Sequence, residues 1–288
     1  MKQEHRQAMR LRLQHYKKHP GSFVAMLLVM LSAVLTVGVL VSLVGYILIK
    51  GIPNLTPSLF ALTYTTENVS MLPAIVNTIT MTALSLLLAV PIGVCSAIYL
   101  VEYAKRGNRI VGLIRLTAET LSGIPSIVYG LFGYLFFVIA CGMGNSILSG
   151  ALTLTIMILP LIMRTTEEAL ASVPDAYREG SFGLGAGRLR TVFRIVLPSA
   201  APGILAGVIL GIGRIVGETA ALIYTAGTVA GVPSSLMGSG RTLAVHMYAL
   251  LSEGLYTEQA YATAVVLLVM VVGINTLSAA VAKRVTVR

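Results

Sequence analysis

Residues 23–49, FVAMLLVMLSAVLTVGVLVSLVGYILI, form an apolar run without a charged side chain. A helix of about 20 residues crosses the hydrocarbon core of a bilayer, so this run is long enough to span a membrane. Five further apolar stretches follow it, at residues 72–100, 116–141, 147–163, 201–227 and 260–282. They lack the alternation of apolar and polar residues that β-barrel strands show, and otherwise only helices satisfy their own backbone groups in lipid. The sequence therefore predicts an all-α integral membrane protein with six spanning helices.

The composition agrees with one membrane-embedded helical bundle. Of 288 residues, 56% are hydrophobic and 11% are charged, whereas roughly a quarter are charged in an average soluble domain. This excludes most cytosolic enzymes. The sequence contains no P-loop, no H-E-x-x-H and no G-x-S-x-G motif, and Cys95 and Cys141 lie in separate apolar stretches. We therefore expect this chain to be no enzyme and to bind no metal or cofactor itself.

The Lys and Arg residues fall in alternate connections between the apolar stretches. Eighteen of the 21 lie in the N-terminal tail, after the second and fourth stretches, and at the C-terminal end. The positive-inside rule assigns these connections to the cytoplasm. The net charge of +10 is then an orientation signal that also attracts anionic membrane lipid, and it indicates no nucleic-acid partner. We expect a multi-pass protein of the cell (inner) membrane with both termini cytoplasmic.

This topology divides the chain into four parts. They are a basic cytoplasmic tail at 1–21, the first helix with an external loop at 22–71, a core at 72–283 and a short tail at 284–288. The external segments at 51–71 and 231–259 are long enough to meet an extracytoplasmic protein. A lone His246 in the second of these segments is more often structural than a ligand or a pH sensor.

A spaced motif occupies the connection between the fourth and fifth stretches. It reads Glu179, Gly180, Ser181, three residues, Gly185, nine residues, Ile195, one residue, Leu197, Pro198. A connection of about 30 residues exceeds what an antiparallel helix pair needs, which indicates a structured insert. Asp175 and the residues after it favour a short helix that Gly183 and Gly185 would end, with Ser172 as its cap.

This motif resembles the E-A-A-x3-G-x9-I-x-L-P loop of ABC importer permeases, with Gly180 and Ser181 in place of the two alanines. The resemblance implies a six-helix type I ABC importer transmembrane domain whose coupling segment, at about 171–198, is a cytoplasmic coupling helix. In that family the loop docks on a separate ATPase subunit, which binds ATP and Mg²⁺. The residues it assigns to ATPase coupling are Tyr177, Glu179, Gly185, Ile195, Leu197 and Pro198.

The fifth stretch contains two charged residues, Arg214 and Glu218, deep within an apolar span. Such residues are costly in lipid and usually face protein or water along a transport pathway. On one continuous helix they would share a stripe with Gly203, Gly207 and Gly211, which favours close contact with another helix. We expect Glu218 to hold Arg214 until an oxyanion competes for the guanidinium. The alternative is an intrahelical pair that only neutralises itself.

The segment GRIVGETA at 213–220 and LSGIPSIVYGLFG at 121–133 resemble the phosphate-specific (PstA-type) branch of these permeases over residues 72–283. The resemblance implies that Arg214, Glu218 and Thr219 serve phosphate translocation. It also implies a second permease subunit, expected to be a different chain, two ATPase subunits and an extracytoplasmic phosphate-binding protein. Ala221 departs from the branch, which commonly has proline there.

Other functions stay open at this point. The same fold could carry sulfate, molybdate or another oxyanion, and an intramembrane enzyme or a passive channel is a further alternative. Arg164 and Glu167, at the end of the fourth stretch, are candidates for a cytoplasmic exit or simply end the helix at the lipid headgroups. Pro125 predicts a kink in the third stretch, with Ser126 able to satisfy a freed backbone group.

Overall fold

A computed structural model describes residues 20–105 and 107–286. The basic tail up to residue 19 and the last two residues, about which the sequence makes predictions, lie outside these ranges. The chain divides into two compact units, Met1–Lys50 and Gly51–Arg288. The regular elements of the described residues are all helical, so the predicted all-α fold class is confirmed.

The first unit contributes one long helix, α1 (Pro20–Gly51). Its 32 residues are apolar on every face, and its last turn carries its one charged residue, Lys50. A helix that is hydrophobic all round suits a lipid environment. The helix includes the whole predicted span at 23–49.

The second unit begins with two 3-10 turns (Ile52–Asn54 and Pro57–Phe60) and continues as a series of helices. In chain order these are α2 (Leu72–Ile98), α3 (Arg109–Ser122), α4 (Ser126–Gly133), α5 (Ile147–Ala171), α6 (Asp175–Gly183), α7 (Arg188–Thr191), α8 (Leu197–Val216), α9 (Ala220–Thr225), α10 (Leu243–Glu253) and α11 (Thr257–Thr286). π-helical turns extend α2 to Tyr103 and α4 to Ala140, and another joins α7 to α8. Within the described ranges, five helical segments are long and apolar enough to cross a membrane, and a sixth span results if α3 and α4 together make one.

Two predicted spans are not single helices. The stretch at 116–141 is bent by 104° between α3 and α4. The stretch at 201–227 is interrupted between Val216 and Ala220, so the expectation of one continuous helix there is wrong. Both interruptions contain glycine, and the first also contains Pro125, which has no N–H for the helical ladder.

Helix α5 is the centre of the bundle and packs against α2, α4 and α8. Its buried side chains include Leu154, Met157, Ile158 and Ile162, which join the largest apolar cluster of the described residues. The helix continues to Ala171, eight residues beyond the predicted end of the span at Met163. It therefore links the membrane core directly to the segment that precedes α6.

The glycines of α8 face α5, as the small-residue ladder predicts. A Cβ atom on Gly203 would lie 2.7 Å from the Cβ of Ala169, and one on Gly207 would overlap the side chain of Thr165. Small residues allow two helix backbones to approach closely where lipid supplies no hydrophobic driving force. Helix α8 is thus held tightly against α5 up to the turn that carries Arg214.

Candidate transport site and coupling segment

The predicted translocation residues lie at the interruption between α8 and α9. Helix α8 ends at Val216, and Gly217, Glu218 and Thr219 form a non-helical link to α9. Glu218 is buried, with 8% of its surface exposed, and its Oε1 accepts a hydrogen bond of 3.0 Å from the backbone N–H of Ala221. The carboxylate therefore satisfies an N–H of the first turn of α9, where negative charge is favourable.

Arg214 is half-buried in the last turn of α8. Within the described parts of the chain its guanidinium forms neither an ion pair nor a hydrogen bond. The expected pair with Glu218 is therefore wrong, because the chain leaves the helix at Gly217 and Glu218 turns to the backbone of α9. The side chain does lie within electrostatic reach of Tyr129 on α4.

The second interruption, between α3 and α4, lies close to the first. Pro125 cannot donate to the carbonyl of Leu121, and the hydroxyl of Tyr129 donates to that carbonyl at 2.8 Å. The same carbonyl also accepts from the backbone N–H of Ile124 at 3.0 Å, so it is satisfied by Ile124 and Tyr129 and does not need Ser126. A Cβ on Gly130 would lie 2.7 Å from the Cα of Ala221, so the backbones of α4 and α9 are in direct contact. Broken helices that meet in this way are typical of membrane transport sites.

The coupling segment forms a short helix, a turn and a second helix. Helix α6 ends at Gly183, as predicted, and Gly185 has a φ of +82°, a conformation that favours glycine. Ser181 is buried, and its hydroxyl lies 2.8 Å from that of Thr191 on α7. The serine at a family alanine position therefore joins the two helices. The predicted Ser172 cap is wrong, because that hydroxyl donates to the carbonyl of Ala169.

One arginine fastens this segment to the membrane bundle. Arg178 on α6 and Glu102 at the end of α2 form an ion pair of 2.7 Å, with side chains only 14% and 8% exposed. Arg178 also donates to the carbonyl of Leu170, in the last turn of α5, and to the carbonyl of Val173, just after that helix. The sequence analysis missed this residue, because its partner lies 76 positions away and no local pattern predicts such a pair.

The outer surface of the coupling segment is apolar in places. Tyr177 is 53% exposed, Glu179 and Pro198 are exposed, and Ile195 and Leu197 are half-buried. Other large apolar side chains exposed on the same segment are Phe182, Leu184, Leu189 and Phe193. Exposed large apolar groups on a short helical insert indicate a surface that another protein covers.

Arg164 and Glu167 do not pair with each other. Arg164 contacts Glu168 at 3.1 Å and Glu119 at 3.7 Å, whereas Glu167 contacts Arg115 at 3.2 Å. The pairs Arg164–Glu119 and Arg115–Glu167 join α3 to α5, and the second of them lies beside a cleft of about 730 Å³. The two predicted exit residues are thus near one another in the fold but belong to separate ion pairs.

A further polar cluster, which we name the Arg241 cluster, consists of Tyr64, Arg241 and His246. The Arg241 guanidinium lies 4.8 Å from the Tyr64 ring centroid, and Tyr64 meets His246 edge-on at 6.2 Å. His246 is fully buried. Burial and, to a lesser extent, the charge of Arg241 lower the pKa of His246 to about 3, against a small upward effect of the Val69 backbone. The imidazole is therefore neutral at pH 7, in agreement with a structural role.

Known proteins with similar sequences identify the family to which this chain belongs. Residues 89–287 match the family described as binding-protein-dependent transport system inner membrane component. The probable ABC transporter permease protein YqgI of Bacillus subtilis is 35% identical over 248 residues, which is 79% of this chain and 82% of the relative. The phosphate transport system permease protein PstA of Mycobacterium leprae is 33% identical over 210 residues, 72% of this chain and 68% of the relative.

Two solved structures that resemble the chain are ABC transporters. A bacterial ABC transporter for the import of the acidic polysaccharide alginate superposes with a TM-score of 0.67 at 18% identity, covering 96% of this chain and 99% of that chain. The MetNI methionine ABC transporter in inward-facing form gives 0.57 at 18% identity over 84% and 97%. At this identity the likeness shows the fold.

The fold and the site thus define a multi-pass transport permease with interrupted helices and a separate coupling segment. The chain belongs to the family of binding-protein-dependent transport system inner membrane components, the permease subunits of ABC importers. It is not an enzyme, and it functions with ATPase and substrate-binding subunits in the inner membrane. The predicted class of protein and the type I importer fold are confirmed.

Proposed function

We propose that this chain is the permease subunit of an ATP-driven importer that moves inorganic phosphate into the cytoplasm. Relatives named phosphate transport system permease protein, from several mycobacteria, support this substrate at 33–41% identity. The observation that carries the proposal is the guanidinium of Arg214, half-buried at the junction of two interrupted helices and unpaired within the described residues.

The chemistry of this junction suits an oxyanion. A guanidinium presents parallel N–H groups that match two oxygens of a phosphate, and its charge persists at any physiological pH. Glu218 keeps its carboxylate on the backbone of α9, so an incoming anion does not have to displace it from Arg214. Thr219, half-buried at the start of α9, adds a hydroxyl that can donate to the same ligand. Cations would be repelled by Arg214, whose charge Glu218 does not pair.

The coupling segment is assigned to contact with the ATPase. We place Tyr177, Glu179, Gly185, Ile195, Leu197 and Pro198 on that surface. The exposed aromatic side chains supply apolar anchors, and the turn at Gly185 sets the angle between α6 and α7. Both termini and this segment lie in the cytoplasm in the proposed orientation. The assembly also includes a second permease chain, two ATPase subunits and an extracytoplasmic phosphate-binding protein.

The ion pair of Arg178 and Glu102 supplies the mechanical link in this proposal. A movement of α6 against the ATPase would be passed to α2 through Glu102 and to α5 through the carbonyls of Leu170 and Val173. Buried, bidentate ion pairs are stiff because both partners are held in one geometry. ATP binding could thus move the helices that surround Arg214.

The exit assignment of Arg164 and Glu167 remains a proposal. Arg164 is about half-exposed, and its carboxylate partners Glu119 and Glu168 are also exposed. Exposed ion pairs contribute little stability, so an anion leaving the pathway could exchange for one of these carboxylates at small cost.

The test is ATP-dependent uptake of radiolabelled phosphate by cells or proteoliposomes that contain the assembled transporter. We expect uptake to require this chain and to be insensitive to excess sulfate. Arg214→Ala should abolish uptake and leave assembly intact, and Arg214→Lys, which keeps the charge but loses the fork, should retain only a small part of it.

Two results would overturn parts of this proposal. Normal phosphate uptake by assembled Arg214→Ala transporter would remove the role of Arg214. No phosphate uptake by the correctly assembled wild type, together with uptake of sulfate or molybdate, would replace the substrate and keep the permease assignment.

A further inference from the structure

Arg241 is a buried arginine whose charge the chain does not balance. It is 4% exposed, and it lies directly before Thr242, the N-cap of α10. Its Nε and Nη2 atoms are inaccessible to solvent and have no hydrogen-bond partner in the described structure. No carboxylate of the described residues forms an ion pair with it. Its guanidinium lies over the Tyr64 ring, 4.8 Å from the ring centroid.

The two unpartnered atoms have a defined geometry. Nε and Nη2 form one edge of the guanidinium plane, on which their N–H groups point in parallel and match the two oxygens of a carboxylate or phosphate. The same chain uses this edge elsewhere, because Arg178 donates from Nη2 to Oε1 of Glu102 at 2.7 Å and from Nε to Oε1 at 3.1 Å and to Oε2 at 3.4 Å. On Arg178 this edge is satisfied by Glu102. On Arg241 the same edge has no acceptor among the described residues.

The surroundings of Arg241 favour a negative ligand. Burying a guanidinium without an acceptor is costly, and a buried charge is normally paired. The positive end of α10 begins two residues after Arg241, which disfavours a bare cation there and favours an anion. Neutral His246, buried against Tyr64, adds no charge that would oppose this ligand.

We propose that the Nε–Nη2 edge of Arg241 binds a small oxyanion, of the size and chemistry of inorganic phosphate, at the end of α2 opposite to the coupling segment. Asn77, near the start of α2, donates to the carbonyl of Arg241, whereas Glu102 at the other end binds the coupling segment. The 25 residues between them correspond to about 37 Å of helix. Only the identity of the anion as phosphate rests on the proposed function.

A free ion fits this site better than a carboxylate of a partner protein. The chain itself covers both nitrogen atoms, and the Tyr64 ring lies over the guanidinium, so a whole side chain of another subunit would have to displace more of this chain than a small ion would. We expect a shift of the loop that carries Tyr64 to admit the ion. That loop is largely exposed, including Leu62 and Thr65 to Glu67.

The experiment separates this site from the one at Arg214. The purified transporter is prepared with Arg214→Ala, alone and combined with Arg241→Lys, and its thermal midpoint is measured against phosphate, sulfate and chloride at constant ionic strength. Phosphate at about a hundred times its dissociation constant should raise the midpoint by several degrees with Arg214→Ala alone. Adding Arg241→Lys should raise the phosphate concentration needed for the same shift of the midpoint at least tenfold. Arg188→Lys is the matched control, because Arg188 also lies over a tyrosine ring, at 5.8 Å from Tyr103, but is exposed.

Hydrogen exchange provides a second readout that needs no change at Arg241. In the Arg214→Ala transporter, phosphate should slow exchange in the peptides that cover residues 62–71 and 239–250. This measurement stands even if Arg241→Lys prevents folding.

The outcomes distinguish the two assignments. Protection by phosphate or sulfate in a wild type that fails to take up phosphate would support the site and reject the proposed substrate. Phosphate uptake without any anion protection of the Arg214→Ala transporter would overturn the site. Equal protection with and without Arg241→Lys would do the same. Loss of subunit assembly with Arg241→Lys, in the absence of anion protection, would show that a partner carboxylate uses the edge instead.

Discussion

Breaking the ion pair between Arg178 and Glu102 should free the coupling segment from the membrane bundle. Arg178→Met removes the charge-assisted bonds to Glu102 and the bonds to the carbonyls of Leu170 and Val173. Glu102, whose side chain is only 8% exposed, then loses its arginine partner. Loss of one partner of a buried pair costs about 3–5 kcal/mol. Glu102→Gln keeps an acceptor and the carbonyl bonds, so we expect it to cost only about 1–2 kcal/mol.

Native-state hydrogen exchange of the amides of α6 measures this difference. A loss of about 3 kcal/mol corresponds to a more than hundredfold increase in the open population. Exchange of the α6 amides in Arg178→Met should accelerate by about that factor, whereas the amides of α5 before Thr166 should change little. In the assembled transporter, phosphate uptake per ATP hydrolysed should fall in parallel, because the ATPase would move a segment that no longer pulls on α2.

The double variant, Arg178→Met with Glu102→Gln, tests whether the two side chains act as a pair. Its effect should be smaller than the sum of the single effects by at least about 1.5 kcal/mol, since the buried lone charge that Arg178→Met creates is then absent. Additive effects, or an α6 exchange rate unchanged by Arg178→Met, would refute the pair as a mechanical link.

Three further predictions concern single positions. Gly185→Ala should destabilise the coupling turn by about 1–2 kcal/mol, because an L-residue is strained at a φ of +82°, whereas Gly180→Ala within α6 should stabilise it slightly; thermal unfolding of the two variants gives the comparison. Gly130→Ala should force α4 away from α9 and reduce phosphate uptake severalfold, and Gly273→Ala, with open space around its Cβ, is the control in the same uptake assay. The pKa of His246 is about 3 in the folded state and about 6.5 in the unfolded state, so the unfolded state binds a proton first as the pH falls. The free energy of unfolding should therefore be highest above pH 6.5 and lower by about 2 kcal/mol at pH 5. His246→Gln should remove this part of the pH dependence of the thermal midpoint.

The spanning helices were predictable because lipid imposes one requirement along the whole length of each span. Apolar length identifies α1, α2, α5 and α11, whose extents include most of the predicted stretches. The same apolar signal says nothing about the direction in which the chain continues. Helix α3 carries Arg109, Arg115 and Glu119 and is less apolar than α4, but this change in hydropathy does not show that the chain bends by 104° between them.

Proline alone does not indicate such a break. Pro91 and Pro160 lie inside the helices α2 and α5, while Pro125 separates α3 from α4. Gly123 precedes Pro125 by two residues at the break, but Gly203 also follows Pro202 inside the continuous α8, so a nearby glycine does not identify the break either. Inside a bundle, neighbouring helices can compensate for one missing backbone bond, and the sequence does not show which neighbours are present.

The functional site was predictable in its residues but not in its contacts. The cost of a charge in lipid identifies Arg214 and Glu218 from sequence alone. Their separation follows from Gly217, where α8 ends, and from the backbone N–H of Ala221, which offers the carboxylate a partner. An i,i+4 spacing predicts a pair only while the helix continues, so the alternative of a self-neutralising pair fails for the same reason.

Helix α2 connects the two ends of the permease, and its backbone suggests how movement is distributed along it. Near its start, Asn77 bonds the loop before α10, and Ser85 donates to the carbonyl of Ala151 on α5 at 3.0 Å. Six residues later Pro91 removes one bond of the helical ladder, and beyond it lies Glu102, held by the coupling segment. The first half is thus hydrogen-bonded to α5, whereas the second half packs against α5 at Gly93 and also holds the coupling segment through Glu102. We therefore expect a pull on Glu102 to bend α2 near Pro91 and leave the Arg241 cluster in place.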